Sequence, residues 1–182
     1  SRLGGVFLCF GDRKTGSTAR NRCTHMYDTF FQRTELLVGT EGLEKLKNSW
    51  IAIVGLGGVG SYAAEAIARC GVGHITIIDP DRIEPTNLNR QLPALVSTLG
   101  QFKVEVISRR MLDINPTLEL ESLNCAYNAE NSHLLLERNL DFVIDAIDAL
   151  NDKIHLIKNC VENGIPIISS MGTANRINPL KL

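Results

Sequence analysis

The sequence predicts an α/β fold: a Rossmann-like, mostly parallel sheet with helices on both faces. Three observations carry the prediction. Short apolar runs alternate with segments whose apolar residues recur at helical spacing. The first run breaks into Gly55-Leu56-Gly57-Gly58-Val59-Gly60, a GxGxxG loop set between a strand and a helix. Asp79 then closes the second run, about 20 residues further on, where a carboxylate holds ribose hydroxyls.

The elements follow in chain order. Residues 34–47 read as short helical pieces, with a capping-box-like Thr40 and with Leu43 and Leu46 turned inward. Residues 50–54 are a buried strand. Small residues make 61–70 a helix, which Gly71 and Gly73 end. Residues 74–79 are the second strand, and 80–98 a long polar connection rich in Asn, Pro and Arg. In 100–112, Val104, Ile107 and Met111 share one helical face, and Asn115-Pro116 stops the helix. A strand over 118–123, a helix over 129–137 and a buried strand over 141–145 follow. A helix over 152–163, closed by Gly164, and a strand over 165–169 complete the series. Strands alternating with helices in this way predict parallel pairing.

Composition bounds the function. The chain has 182 residues, 44% hydrophobic and 21% charged, which suits one soluble globular domain. The net charge is −1, so nucleic-acid contact requires a local basic patch. Arg109 and Arg110 are candidates for one, although a solvated helix face explains them better. Cys9, Cys23, Cys70, Cys125 and Cys160 are odd in number and irregular in spacing. They support neither a disulfide framework nor a Cys-x-x-Cys zinc site. No apolar stretch approaches the roughly 18 residues of a membrane span.

Two constellations carry chemistry. The glycine loop and the following helix N-terminus offer N–H donors to phosphate, which by itself means only an adenine nucleotide. The stretch IDPDRIEPTNLNRQ (78–91) is more specific, because it brings Asp79, Asp81, Asn87, Asn89, Arg90 and Gln91 into one loop. Arg90 can fork onto phosphate oxygens, and Lys103, at the start of the next helix, can reach an α-phosphate. Hydride transfer has no need of so much charge around phosphates; breaking the α–β bond of ATP does. In VIDAIDAL (143–150), Asp145 and Asp148 fall at the ligand-binding end of a parallel strand. Asp148 suits Mg2+, which takes one or two carboxylates together with phosphate oxygens. Helix capping by Asp148 or Asn151 is the structural alternative.

GLGGVGS, IDPDRIEPTNLNRQ, the helix bearing Lys103, and DAID together resemble the ubiquitin-activating-enzyme-like adenylating superfamily, the ThiF/MoeB group. RTELLVGTEGLEKLKNS (33–49), GVGHITIID (71–79), LDINP (112–116) and IPIISSMGTAN (165–175) resemble its tRNA threonylcarbamoyladenosine dehydratases. The resemblance implies ATP and Mg2+ as cofactors and a substrate carboxylate joined to AMP. It implies nucleotide contacts from Gly55, Gly57, Gly58, Gly60, Asp79, Asp81, Asn87 and Gln91. It also implies catalytic roles for Arg90, Lys103 and Asp148, the last holding the metal. Arg33 matches the arginine that reaches into a partner subunit's site, so a homodimer is implied. The implied partners are tRNA carrying threonylcarbamoyladenosine and a sulfur-transfer protein, in the cytoplasm and away from membranes. The paired Cys-x-x-Cys motifs of the MoeB group are absent from this chain.

Residues 26–182 are read as the adenylating domain, incomplete at its C-terminal end. Residues 1–25 are read as a leader outside the fold or an expression remnant, with a basic tRNA-binding arm as the functional alternative. Three other readings remain open. A sulfur-carrier-protein adenylyltransferase would use the same ATP site on a protein C-terminal glycine. A non-catalytic nucleotide-binding subunit would bind ATP without pyrophosphate exchange. An NAD-dependent dehydrogenase conflicts with the charged loop 79–91.

Overall fold

The computed structural model describes residues 29–172; the leader expected over 1–25 and the stretch 173–182 lie outside that range. Five strands form one sheet in the order β3-β2-β1-β4-β5: β1 Trp50–Val54, β2 His74–Ile78, β3 Glu119–Leu123, β4 Phe142–Asp145 and β5 Ile167–Ser169. Every pairing is parallel, with Val54 opposite Ile78 on one side and Asp145 on the other. The helices are α1 Gln32–Asn48, α2 Gly60–Cys70, α3 Lys103–Ile114, α4 His133–Leu136 and α5 Leu150–Glu162.

The period of two in the central strands divides the core. Ile51, Ile53, Ile75 and Ile77 meet Ala64 and Ala68 of α2 and Val104, Ile107 and Met111 of α3. Ala52, Val54, Ile78 and Val143 meet Leu135 of α4 and Leu156 and Cys160 of α5. Both faces are therefore covered, as an all-parallel sheet requires. The alanines of α2 let that helix lie close to the sheet, which brings its N-terminus over the end of β1.

Two local expectations are corrected. The helix expected over 129–137 shrinks to His133–Leu136. Ahead of it, Asn128 Oδ1 accepts from the N–H groups of Glu130 and Asn131, while Asn131 Oδ1 accepts from Asn128 N–H. Asn side chains that satisfy backbone donors compete with helix formation. Thr40 caps nothing: α1 runs through a kink at Gly39, and the Thr40 hydroxyl donates to Glu35 at 2.8 Å. Leu43 is buried and Leu46 packs on the core, as expected.

On the surface, Arg110 of α3 and Arg69 of α2 both engage Glu65, which removes Arg110 from any free basic patch. The two guanidiniums outweigh burial and hold the Glu65 carboxyl down at about 2. Stability from this network is full above the ordinary carboxylate value and is lost as pH falls from 4.5 toward 2. Glu65→Gln is expected to cost about 1 kcal/mol or less at pH 7. The deficit should vanish in thermal melts taken at the acid end of that window.

Candidate nucleotide site

The cleft lies at the carboxyl edge of the sheet, where the chain has run from β1 through β2 to β3 on one side and restarts with β4 on the other. Ligands bind open α/β sheets at such a switch point. The cavity measures about 540 Å³ and is walled by the ends of β1 and β2, the 80–91 connection, Lys103 and the turn after β4.

The glycine loop is shaped by contact. Gly55 has φ 91°, and a Cβ there would lie 2.6 Å from the Ala146 carbonyl oxygen. A Cβ on Gly60 would lie 1.7 Å from the Gly55 carbonyl oxygen, which no side chain permits. Gly55 and Gly60 therefore let the loop fold on itself and against the turn after β4. Gly57 is different: it faces the cleft, and a Cβ there would meet only Gln91 Nε2, at 4.0 Å. Gly58 lies under the stem of Arg90.

Asp79 ties this loop to β2. Its carboxylate accepts from Leu56 N–H at 2.6 Å and from Asp81 N–H at 2.9 Å, and Lys103 Nζ stands 3.7 Å away. Burial pushes the Asp79 carboxyl above its ordinary value, against the pull of those two N–H groups and Lys103. Lys103 is itself buried and bonds Asp81 at 2.7 Å. The 80–98 connection is a folded structure. Ile83 is buried and exchanges backbone hydrogen bonds with Gln101 and Gly100, and Arg82 lies over the Phe102 ring at 3.7 Å. Asn87 Oδ1 accepts from Glu84 N–H, and Arg90 donates to the Thr86 carbonyl and to Asn89. Gln91 is buried on the cleft wall, and its Oε1 has no hydrogen-bond partner.

Beyond β4 the two aspartates of DAID separate. Asp145 is fully buried and bonded to Lys153 at 2.7 Å. Asp148 is exposed on the cleft rim. Helix α5 begins at Leu150 with Ala149 as its cap and no side-chain cap bond, so neither Asp148 nor Asn151 serves as its cap. Of the residues singled out in the sequence, nine line the cleft: Gly55, Gly57, Asp79, Asp81, Asn87, Arg90, Gln91, Lys103 and Asp148. Gly58 and Gly60 lie behind that wall, and Arg33 is exposed on α1, outside it.

The ThiF family profile matches residues 31–177. The chain belongs to the ThiF family. It is 52% identical over 151 residues to the tRNA threonylcarbamoyladenosine dehydratase of Bacillus subtilis, a match covering 83% of this chain and 59% of that protein. The crystal structure of the E. coli dehydratase, TcdA, in complex with ATP matches with a TM-score of 0.82 at 37% identity, over 85% of this chain and 64% of that one. An adenylyltransferase and sulfurtransferase, MOCS3 of Anopheles gambiae, is 36% identical over 132 residues, 72% of this chain and 30% of its own length. The chain spans about three-fifths of the length of the curated bacterial dehydratases it matches, and about two-fifths of the two yeast ones.

Within this ThiF-family cleft, several lining residues were invisible to motif reading. Asp152 stands on the rim beside Asp148, and Tyr127 and Cys125 form the wall beyond β3. The Tyr127 hydroxyl lies 3.2 Å from His155 Nδ1, and burial pushes the Cys125 thiol up, away from nucleophilic use. Lys153 did leave a signal: it shares a helical face with Leu156 and Cys160, and a cation in a buried stripe calls for a buried anion. No helix of the described residues is long and apolar enough to cross a membrane.

Proposed function

We propose that the cleft binds ATP and that the chain carries out the ATP-dependent dehydration of threonylcarbamoyladenosine in tRNA through a carboxyl-adenylate. The observation that carries this reading is the pairing of a glycine-loop phosphate cradle with Arg90, Lys103 and Asp148 around one cavity. The 52% identity to a dehydratase supports this substrate over the C-terminal glycine of a carrier protein, the second reading.

The residues fit the nucleotide. Gly57 leaves room for phosphate beside backbone N–H groups, and the orphaned Gln91 Oε1 supplies an acceptor for a ligand donor. They also fit Mg2+. The lining holds Asp79, Asp81, Glu84, Asp148 and Asp152 against Arg82, Arg90 and Lys103, so an added cation favours entry of a triphosphate. Mg2+ takes one or two carboxylates and completes its shell from phosphate and water. Asp148 would hold it, and the metal would neutralise charge on the phosphates.

The chemistry then follows from position. The threonyl carboxylate oxygen attacks the α-phosphorus, and pyrophosphate leaves with the bridging oxygen. Arg90 and Lys103 stabilise the charge that gathers on the phosphate oxygens. Lys103 is held by Asp81, so phosphate binding draws the ammonium away from a carboxylate that is free to turn to water. The neighbouring carbamoyl group then attacks the acyl carbon, the ring closes, and AMP departs with one carboxylate oxygen. Ring closure is intramolecular, so proximity replaces an enzyme nucleophile. Incubation with Mg-ATP and tRNA bearing the modified nucleoside should yield, by mass spectrometry after digestion, nucleoside lighter by one water. ATP binding without water loss in a chain extended to the length of its relatives would refute the dehydratase reading.

A homodimer in the cytoplasm, with Arg33 completing its partner's cleft and a sulfur-transfer protein as a further partner, belongs to the same proposal. Arg33→Ala and Asp148→Ala chains, each inactive alone, should recover about a quarter of wild-type exchange when mixed at equal amounts, because half the dimers then hold one intact site of two. No recovery would exclude a shared site.

A further inference from the structure

Asp145 and Lys153 form a buried ion pair behind the cleft, at the junction of three segments. Lys153 Nζ donates to Asp145 Oδ2 at 2.7 Å, to the Ser170 carbonyl at 2.9 Å and to Ser169 Oγ at 3.2 Å. The other carboxylate oxygen, Oδ1, accepts from Ile147 N–H at 2.9 Å. Backbone bonds complete the knot: Ala146 N–H to the Val54 carbonyl, and Ser170 N–H to the Asp145 carbonyl. The turn 145–148 is thus gripped from β1 on one side and from the end of β5 on the other. The same turn supplies the Ala146 carbonyl against which Gly55 packs, and it ends in exposed Asp148.

A buried ion pair contributes little to stability over an apolar pair of the same size, so stability alone does not account for it. What the pair does here is join side chains to backbone at a rim that must present a carboxylate at a set position. We propose that Lys153 is a positioning residue for Asp148: its ammonium locks the turn after β4 to the end of β5 and so fixes where the rim carboxylate stands. The proposal rests on the reading that Asp148 serves ATP chemistry.

The test uses Asp145→Asn/Lys153→Met, which removes both charges together and leaves no buried ion unpaired, beside Lys153→Arg, Asp148→Ala and the unaltered chain. Each is checked for folding by circular dichroism and thermal melting. The charge-free pair should melt cooperatively and bind ATP. Its ATP–pyrophosphate exchange should fall by about 100-fold, mostly in kcat, as expected for a misplaced catalytic group. Its amides at Ile147 and Ser170 should exchange with deuterium about tenfold faster while those of β1 do not change. Lys153→Arg should retain most of both, and adding Asp148→Ala to the charge-free pair should cost only about tenfold more, ending level with Asp148→Ala alone. Unchanged amide exchange at Ile147 and Ser170, or pyrophosphate exchange within twofold of the unaltered chain, would overturn the proposal. If Asp148→Ala alone leaves pyrophosphate exchange intact, the functional reading fails, whereas the amide measurement still decides whether Lys153 locks the turn.

Discussion

Replacing Asp148 by alanine is expected to lower ATP–pyrophosphate exchange by about 10³-fold, because its proposed role is to hold the metal that supplies several kcal/mol of charge stabilisation. The fold should be indifferent. Asp148 is exposed, caps no helix and has no ion-pair partner among the described residues, so its melting free energy should stay within about 0.5 kcal/mol of the unaltered chain. Raising Mg2+ should recover part of the lost exchange, because Asp152 remains on the same rim. Unchanged exchange in a folded Asp148→Ala chain would remove this residue from the site.

Lys103→Met is expected to act on both activity and stability. In the proposed site the ammonium serves the phosphates, and loss of one such donor costs about 10²–10³ in rate. It also stands between Asp79 and Asp81. Asp81 is exposed and simply hydrates when released, while Asp79 stays buried with only two backbone N–H groups. A cost of about 1–3 kcal/mol follows from a buried group left partly unsatisfied. Burial already pushes the Asp79 carboxyl up, and removing the nearby cation raises it further. The extra destabilisation should therefore shrink as pH falls and Asp79 takes up a proton, because a carboxyl raised in the folded state favours folding at low pH. Urea melts at pH 7 and pH 5 compare the two conditions directly.

Much of this architecture was legible because parallel sheets write themselves plainly into sequence. Ile51–Val54 is a continuous apolar run and Ile75–Ile78 is broken only by the buried Thr76, since both faces of the sheet are covered. The glycine loop was legible for a steric reason: Gly60 sits where a Cβ would meet the Gly55 carbonyl. Other features depend on contacts that no short window contains. Residues 128–131 resemble a helix start by composition, yet their asparagines bond the backbone and hold a turn. The 80–98 connection reads as polar loop, but Ile83 anchors it and Phe102 carries Arg82. Asp145 and Asp148 are alike in sequence, three residues apart on one strand end. Only Lys153, from the next helix, tells them apart by claiming Asp145 and leaving Asp148 to the cleft.

If ATP in this cleft activates a carboxylate by transfer of its adenylyl group, a carboxylate oxygen must end in AMP. The most direct measurement follows one oxygen. tRNA threonylcarbamoyladenosine labelled with ¹⁸O in its threonyl carboxylate is incubated with the chain and Mg-ATP, and the nucleotide products are weighed by mass spectrometry. Attack on the α-phosphorus predicts AMP carrying one ¹⁸O atom and unlabelled pyrophosphate. ADP with the label in inorganic phosphate would show attack on the γ-phosphorus and would contradict the account.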